Sequence, residues 1–99
     1  MSARLSDQVI GEKLQNLPAW RREGDAIVRD VTCRDFRHAL EVVNCVGDLA
    51  ERMDHHPDLL IHRWNRMRIV LSTHSAGGLT ENDFALAQEI ESLLLQMGI

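Results

Sequence analysis

The spacing of apolar residues switches between helical and strand periods along the chain. Val9, Ile10, Leu14 and Leu17 share one side of a 3.6-residue repeat, with Ser6 as a plausible N-cap and Asp7 in the first turn. A helix is predicted there, ended by Pro18. Trp20 to Glu23 then reads as a short strand. Gly24-Asp25 marks a turn, after which Ile27, Val31 and Cys33 alternate with Val28, Asp30 and Thr32. Arg29 interrupts the apolar side of that second strand. The two strands form a predicted hairpin.

The helical period returns after Thr32-Cys33-Arg34-Asp35, a stretch that resembles a capping box. Phe36, Leu40, Val43, Gly47 and Ala50 repeat at helical spacing, and Val42, Val46, Leu49 and Met53 widen the stripe. A helix to about Met53 is predicted. Its apolar face is broader than one small sheet requires, which points to a partner helix from another subunit. Beyond Pro57, Leu59 to Trp64 and Met67 to Thr73 form a second predicted hairpin, with Asn65-Arg66 at its turn. Met67, Ile69, Leu71 and Thr73 share one face; Arg68, Val70, Ser72 and His74 share the other. Gly77-Gly78 breaks the chain. Thr80-Glu81-Asn82-Asp83 opens a last helix, with Phe84, Leu86, Ala87, Ile90, Leu93 and Leu94 available to pack and Gly98 just past its end. The order helix, hairpin, helix, hairpin, helix predicts an α+β domain of two layers. A four-stranded antiparallel sheet carries the helices on one face, in a single domain over residues 1–99.

Composition narrows the function more than the fold. A chain 44% hydrophobic and 26% charged has the make-up of a soluble globular protein. A net charge of −4 is the wrong sign for a general nucleic-acid surface, though it leaves a protein partner open. Cys33 and Cys45 are too few for a disulfide framework and lack the C-x2-C spacing of a zinc site, so both are expected as buried free thiols. The amphipathic N-terminus, MSARLSDQVIGEKL, has no long apolar core, and no stretch is long enough to span a bilayer. A cytoplasmic location is the expectation.

No G-x-S-x-G elbow, P-loop or G-x-G-x-x-G occurs, which leaves the five histidines as the informative residues. His38 falls on the polar side of the long helix and is expected to be solvated. His62, beside Arg63, reads as a surface residue. His55 and His56 follow the same helix at its C-terminal end, where the dipole favours an imidazolium. Helix capping alone would account for either, so structural and functional readings both stay open. Pro57 pushes the backbone of His56 into an extended form, so the two side chains should diverge from a rigid corner. His74 lies at the far end of a strand, where the second hairpin would return it beside the other two. Three histidines suit a catalytic zinc in number, but helical H-x-x-x-H spacing is missing and adjacent histidines rarely chelate one ion. General acid/base work needs no cofactor, because imidazole gives or takes a proton near neutral pH. Asp83 is a candidate orienting carboxylate, although T-x-x-D capping from Thr80 also explains it. Glu51 is a helix acid four residues before His55, Trp20 and Trp64 would stack on a planar substrate, and the bland readings are a solvated acid and core tryptophans.

Taken together, AERMDHHPD, WNR and LSTHSAGGLTENDFALA resemble the pterin-4a-carbinolamine dehydratases, with AW, GDAI and RDF consistent upstream. The resemblance is close from Ala50 to about Ala87. It implies helices packed on one side of a four-stranded antiparallel sheet. It also implies dehydration of a 4a-hydroxytetrahydropterin to the quinonoid dihydropterin, recycling the pterin used by aromatic amino-acid hydroxylases. No metal or organic cofactor is implied, the pterin being the substrate. The family's catalytic histidines fall on His55, His56 and His74, and its aspartate on Asp83. On this reading His55 and His74 act as general acid and base at the 4a-hydroxyl and ring nitrogen, and His56 orients the pterin. Asp83 holds His74 or a substrate donor, while Trp20 and Glu51 line the substrate site. Homodimers or homotetramers are implied, with the Phe36–Met53 stripe at their interface. Two other classes fit the resemblance: a dimerisation cofactor for a transcription factor, and a pterin-binding or molybdopterin-related regulator without turnover. The Pro57–Trp64 segment is one residue longer than in some members, Trp64 replaces a common tyrosine and Asn82 an arginine, which leaves pterin selectivity open.

Overall fold

The computed structural model describes residues 3–99, so Met1 and Ser2 of the amphipathic N-terminal stretch lie outside the described residues. The element order is α1 (Asp7–Leu14), β1 (Trp20–Glu23), β2 (Ala26–Thr32), α2 (Phe36–Met53), β3 (Asp58–His62), β4 (Arg66–Leu71), a 3-10 turn (His74–Ala76) and α3 (Glu81–Gln96). The strands form one antiparallel sheet in the order β1-β2-β4-β3. This is the expected α+β layering, with the helices on one face.

Register explains the core. Val31, Met67 and Ile61 pair across β2, β4 and β3, and Ile27 pairs with Leu71. These side chains share one face and pack with Ala39, Val42 and Val46 of α2 and Leu86, Ala87, Ile90 and Leu94 of α3. Arg29 lies in the row between them, opposite Trp20 and Ile69. Its charge is met by Glu91 of α3, whose Oε1 accepts from Arg29 Nε at 2.7 Å and from Trp20 Nε1 at 2.7 Å. One carboxylate thus satisfies both polar groups on the apolar side, and the strand survives the interruption.

Four local expectations are corrected. The helix predicted to run to Pro18 stops at Leu14, and Leu17 reaches the core from a following turn, its N–H bonded to the Leu14 carbonyl. The capping box placed at Thr32 does not form, because Thr32 is still paired with Arg66 in the sheet. Asp35 is the N-cap instead, accepting the His38 N–H at 2.8 Å. That start places His38 at the third helical position, where it is buried rather than solvated, and its Nδ1 accepts the Arg34 N–H at 3.1 Å. The second hairpin turns at Arg63-Trp64, not at Asn65-Arg66, since Arg66 already pairs with His62. Arg63 and Trp64 both have left-handed φ, 49° and 55°, the conformation a tight hairpin needs but one that costs a non-glycine residue about 1 kcal/mol. Two bonds between Cys33 and Asn65 hold that turn against the start of α2.

Within α2 the stripe divides. Ala39, Val42, Val46, Leu49 and Ala50 are buried, whereas Phe36 is 50% exposed and Leu40 42%. Cys33 is buried and Cys45 half-buried, both free, and burial pushes the Cys33 thiol above its ordinary pKa. Among the described residues no helix is long and apolar enough to cross a membrane.

Candidate active site

The end of α2 builds the first part of the site. Asp54 takes a left-handed conformation, φ 49°. Its N–H bonds to the Glu51 carbonyl at 3.3 Å and that of His55 to the Ala50 carbonyl at 3.2 Å. This is a Schellman ending with an aspartate where glycine is usual. The reversal turns His55 back under the helix, and Pro57 follows to prevent the helix resuming. The imidazole of His55 is 13% exposed, and its Nε2 lies 2.6 Å from Asp83 Oδ1.

Asp83 comes from the first turn of α3 and its side chain is 0% exposed. Its second oxygen, Oδ2, accepts the Thr80 N–H at 2.9 Å, the reach-back bond of a capping box. The same oxygen accepts the Thr73 hydroxyl at 2.8 Å. The carboxylate therefore has two roles that the sequence presented as alternatives: it caps α3 and it holds a histidine. The histidine is His55, where His74 or a substrate group was expected. Nε2 of His55 must carry a proton to pair with an ionised carboxylate, so in the neutral ring the free lone pair is on Nδ1.

His56 leaves the same corner in another direction. Its Nε2 is hydrogen-bonded to Glu51 Oε2, and both side chains are largely exposed, 57% and 74%. The divergence expected from Pro57 is thus present. His74 opens the 3-10 turn on a small loop closed by paired bonds between Thr73 and Gly78, at 3.1 and 3.3 Å. Gly77 ends the turn at φ 69°, a conformation that favours glycine. His74 is exposed and follows directly on Thr73, which touches Asp83. The fold thus gathers His55, His56, Glu51, Asp83 and the loop bearing His74.

Trp20 is not gathered with them. It is buried in the core with its N–H on Glu91, and β1 and β3 are opposite edges of the sheet, about 14 Å apart at three strand spacings. Trp64 is exposed at the hairpin tip, the end of β3 away from His55. A concavity of about 400 Å³ lined by Arg4, Ser6, Asp7, Arg22, Asp25 and Gly78 borders the base of the His74 loop, but no histidine lines it. Thr73 is the residue that sequence reasoning passed over. A polar side chain continuing the apolar face of Met67, Ile69 and Leu71 was its signal, because such a group must find a buried partner.

The profile of the family described as pterin 4 alpha carbinolamine dehydratase matches residues 3–93. The chain belongs to this family. A relative from Thermomicrobium roseum, provisionally named a pterin-4-alpha-carbinolamine dehydratase, is 50% identical over 92% of this chain and 97% of its own. One from Acidobacterium capsulatum with the same provisional name is 50% identical over 93% and 99%. Among solved structures, a transcriptional coactivator/pterin dehydratase from Brucella melitensis superposes with a TM-score of 0.84 at 32% identity, covering 90% of this chain and 96% of that one. A pterin dehydratase-like RuBisCO assembly factor of the α-carboxysome shares the fold at 15% identity, with a TM-score of 0.59 over 75% of this chain and 84% of its own. Family and relatives together support carbinolamine dehydration in general as the activity of this family.

Proposed function

We propose that this protein dehydrates a 4a-hydroxytetrahydropterin by histidine acid/base catalysis, returning the pterin to a redox cofactor cycle. The observation that carries the reading is the part-buried Asp83–His55 bond at the corner that also presents His56. Water leaves carbon 4a as its hydroxyl takes a proton, and the proton on nitrogen 5 departs to a base. The electron pair of that N–H bond becomes the new C4a=N5 double bond, so no electrons enter or leave. His55 suits the base, since Asp83 offsets the positive charge that develops on the ring when Nδ1 takes the proton. His74, exposed on its loop, suits the acid at the hydroxyl and regains its proton from solvent. His56, steadied by Glu51, orients the pterin. Each proton transfer of this kind typically supplies about 10²–10⁴-fold. No metal or organic cofactor enters the scheme.

Stopped-flow mixing with freshly made 4a-hydroxytetrahydropterin tests the reading. Dehydration faster than in buffer and indifferent to EDTA is expected; no acceleration by the wild-type protein would sink it. The half-exposed Phe36 and Leu40 face of α2 supports self-association into dimers or tetramers, which light scattering would measure. That face also keeps alive a second role as a protein-docking module, which predicts a wild-type fold with no turnover. A cytoplasmic setting completes the proposal.

A further inference from the structure

Capping explains why Asp83 meets the Thr80 N–H, but not why it also meets a hydroxyl from the other side of the loop. Thr73 is ten residues before Asp83 and belongs to the exit from β4. Its Oγ1 lies 2.8 Å from Asp83 Oδ2 and 2.8 Å from Thr80 Oγ1. We propose that Thr73 and Thr80 form a directed hydrogen-bond relay that positions Asp83 and, through it, fixes the tautomer of His55. The inference rests on the acid/base role given to His55 above.

The direction of the relay follows from proton counting. An ionised carboxylate only accepts, and a hydroxyl has one proton to give. Thr73 gives its proton to Asp83, so the contact between the two hydroxyls runs from Thr80 to Thr73. With the Thr80 N–H added, Oδ2 holds two donors and the carboxylate is locked against rotation. Only Oδ1 then remains for His55, which must present Nε2–H and keep its lone pair on Nδ1. The helix cap and the proton acceptor are thus one connected network, in which Thr73 and Thr80 touch no reacting atom. They are positioning residues.

The Thr73→Val variant keeps the branched shape and removes only the hydroxyl. It leaves Oδ2 with one donor and the Thr80 hydroxyl with no acceptor, so the carboxylate can swing out of reach of Nε2 and His55 loses the acceptor that fixes its tautomer. A fall in kcat on the order of 10-fold is expected, below the about 10²–10⁴-fold due to a whole acid/base group, with KM little changed. The limb of the pH–rate profile that reports His55 should shift, and Thr73→Ser should restore both. Nitrogen-15 spectra of the histidines in the wild-type and variant proteins read the tautomer without turnover. The wild-type must show His55 as Nε2–H, and Thr73→Val must show it mixed. An Nδ1–H tautomer in the wild-type overturns the relay whether or not the variant folds. So does a Thr73→Val protein with the wild-type tautomer and pH profile, even if its kcat falls. Absence of dehydratase activity would instead strike the proposed function, and the spectra would still decide the relay.

Discussion

Two neighbouring residues make the same kind of pair in opposite surroundings. His55 meets Asp83 inside the protein, 13% and 0% exposed; His56 meets Glu51 at the surface, 57% and 74%. The first pair joins α2 to α3, elements brought together only by folding, and its carboxylate is held from two further sides. The second is a local pair whose members lie five residues apart. Low dielectric strengthens the first and makes any unpaired member costly, while water and salt weaken the second. The contrast separates a group built to hold one geometry from a group free to yield to a ligand. It matches the roles proposed here, acid/base chemistry for His55 and substrate orientation for His56.

The sharpest way to break the comparison is Asp83→Ala. It strands the Thr80 N–H, the Thr73 hydroxyl and His55 Nε2–H together. Each buried donor left unmet costs about 1–3 kcal/mol, so a loss of at least about 3 kcal/mol in urea unfolding is expected. Dehydration should fall on the order of 10²-fold or more, comparable with His55→Ala. A stable, active Asp83→Ala protein would reduce the buried pair to a helix cap.

His56→Ala comes next. An orienting residue should show its loss mainly in KM, about 10-fold and near 1.4 kcal/mol, with kcat less affected and stability within about 0.5 kcal/mol of wild type. A kcat loss matching that of His55→Ala would erase the distinction. Glu51→Gln should be milder still, a few-fold in kcat/KM at low salt. The difference should shrink toward 1 M salt, where the screening length is about 3 Å. A salt-independent loss would mean that Glu51 acts in a desolvated site on bound pterin.

The same contrast explains what could be read from sequence. Alternation in Met67–Leu71, the helical stripe of α2 and the Thr80–Asp83 cap are local signals, and the elements they announce are present. The HHP corner and the later STH loop were likewise legible as local features, and the fold brings them to the same end of α2 and α3. Partners were not legible. Asp83 holds His55 because β4 and α3 carry Thr73 and Asp83 to the corner of α2, a fact of assembly with no spacing rule. His38 misled for a related reason: moving the cap from Thr32 to Asp35 turned a helix-surface histidine into a buried one. The Arg63-Trp64 turn defied reading because neither residue favours left-handed φ; the Cys33–Asn65 bonds support it from outside the hairpin.

Asp30 gives the smallest test, and asks whether exposure alone makes a pair weak. It lies on the open face of the sheet, 46% exposed, but is held by two arginines. Arg68 Nε donates to it at 2.8 Å and Arg21 at 2.8 Å from the other side. Arg68 first, then Arg21, holds its carboxyl below the usual carboxylate range. A carboxyl lowered by folding adds stability at pH values above the ordinary unfolded range. That stability is lost as pH falls through the range toward the lowered folded value. Water screens so exposed a group, so Asp30→Asn should cost only a few tenths of a kcal/mol at pH 7. The two proteins should converge as the pH falls from the ordinary carboxylate range through the lowered folded value. If Asp30→Asn costs more than about 1 kcal/mol at neutral pH, networking rather than burial sets the strength of pairs here. The mild loss expected for Glu51→Gln would then follow from its having one partner, not from its exposure.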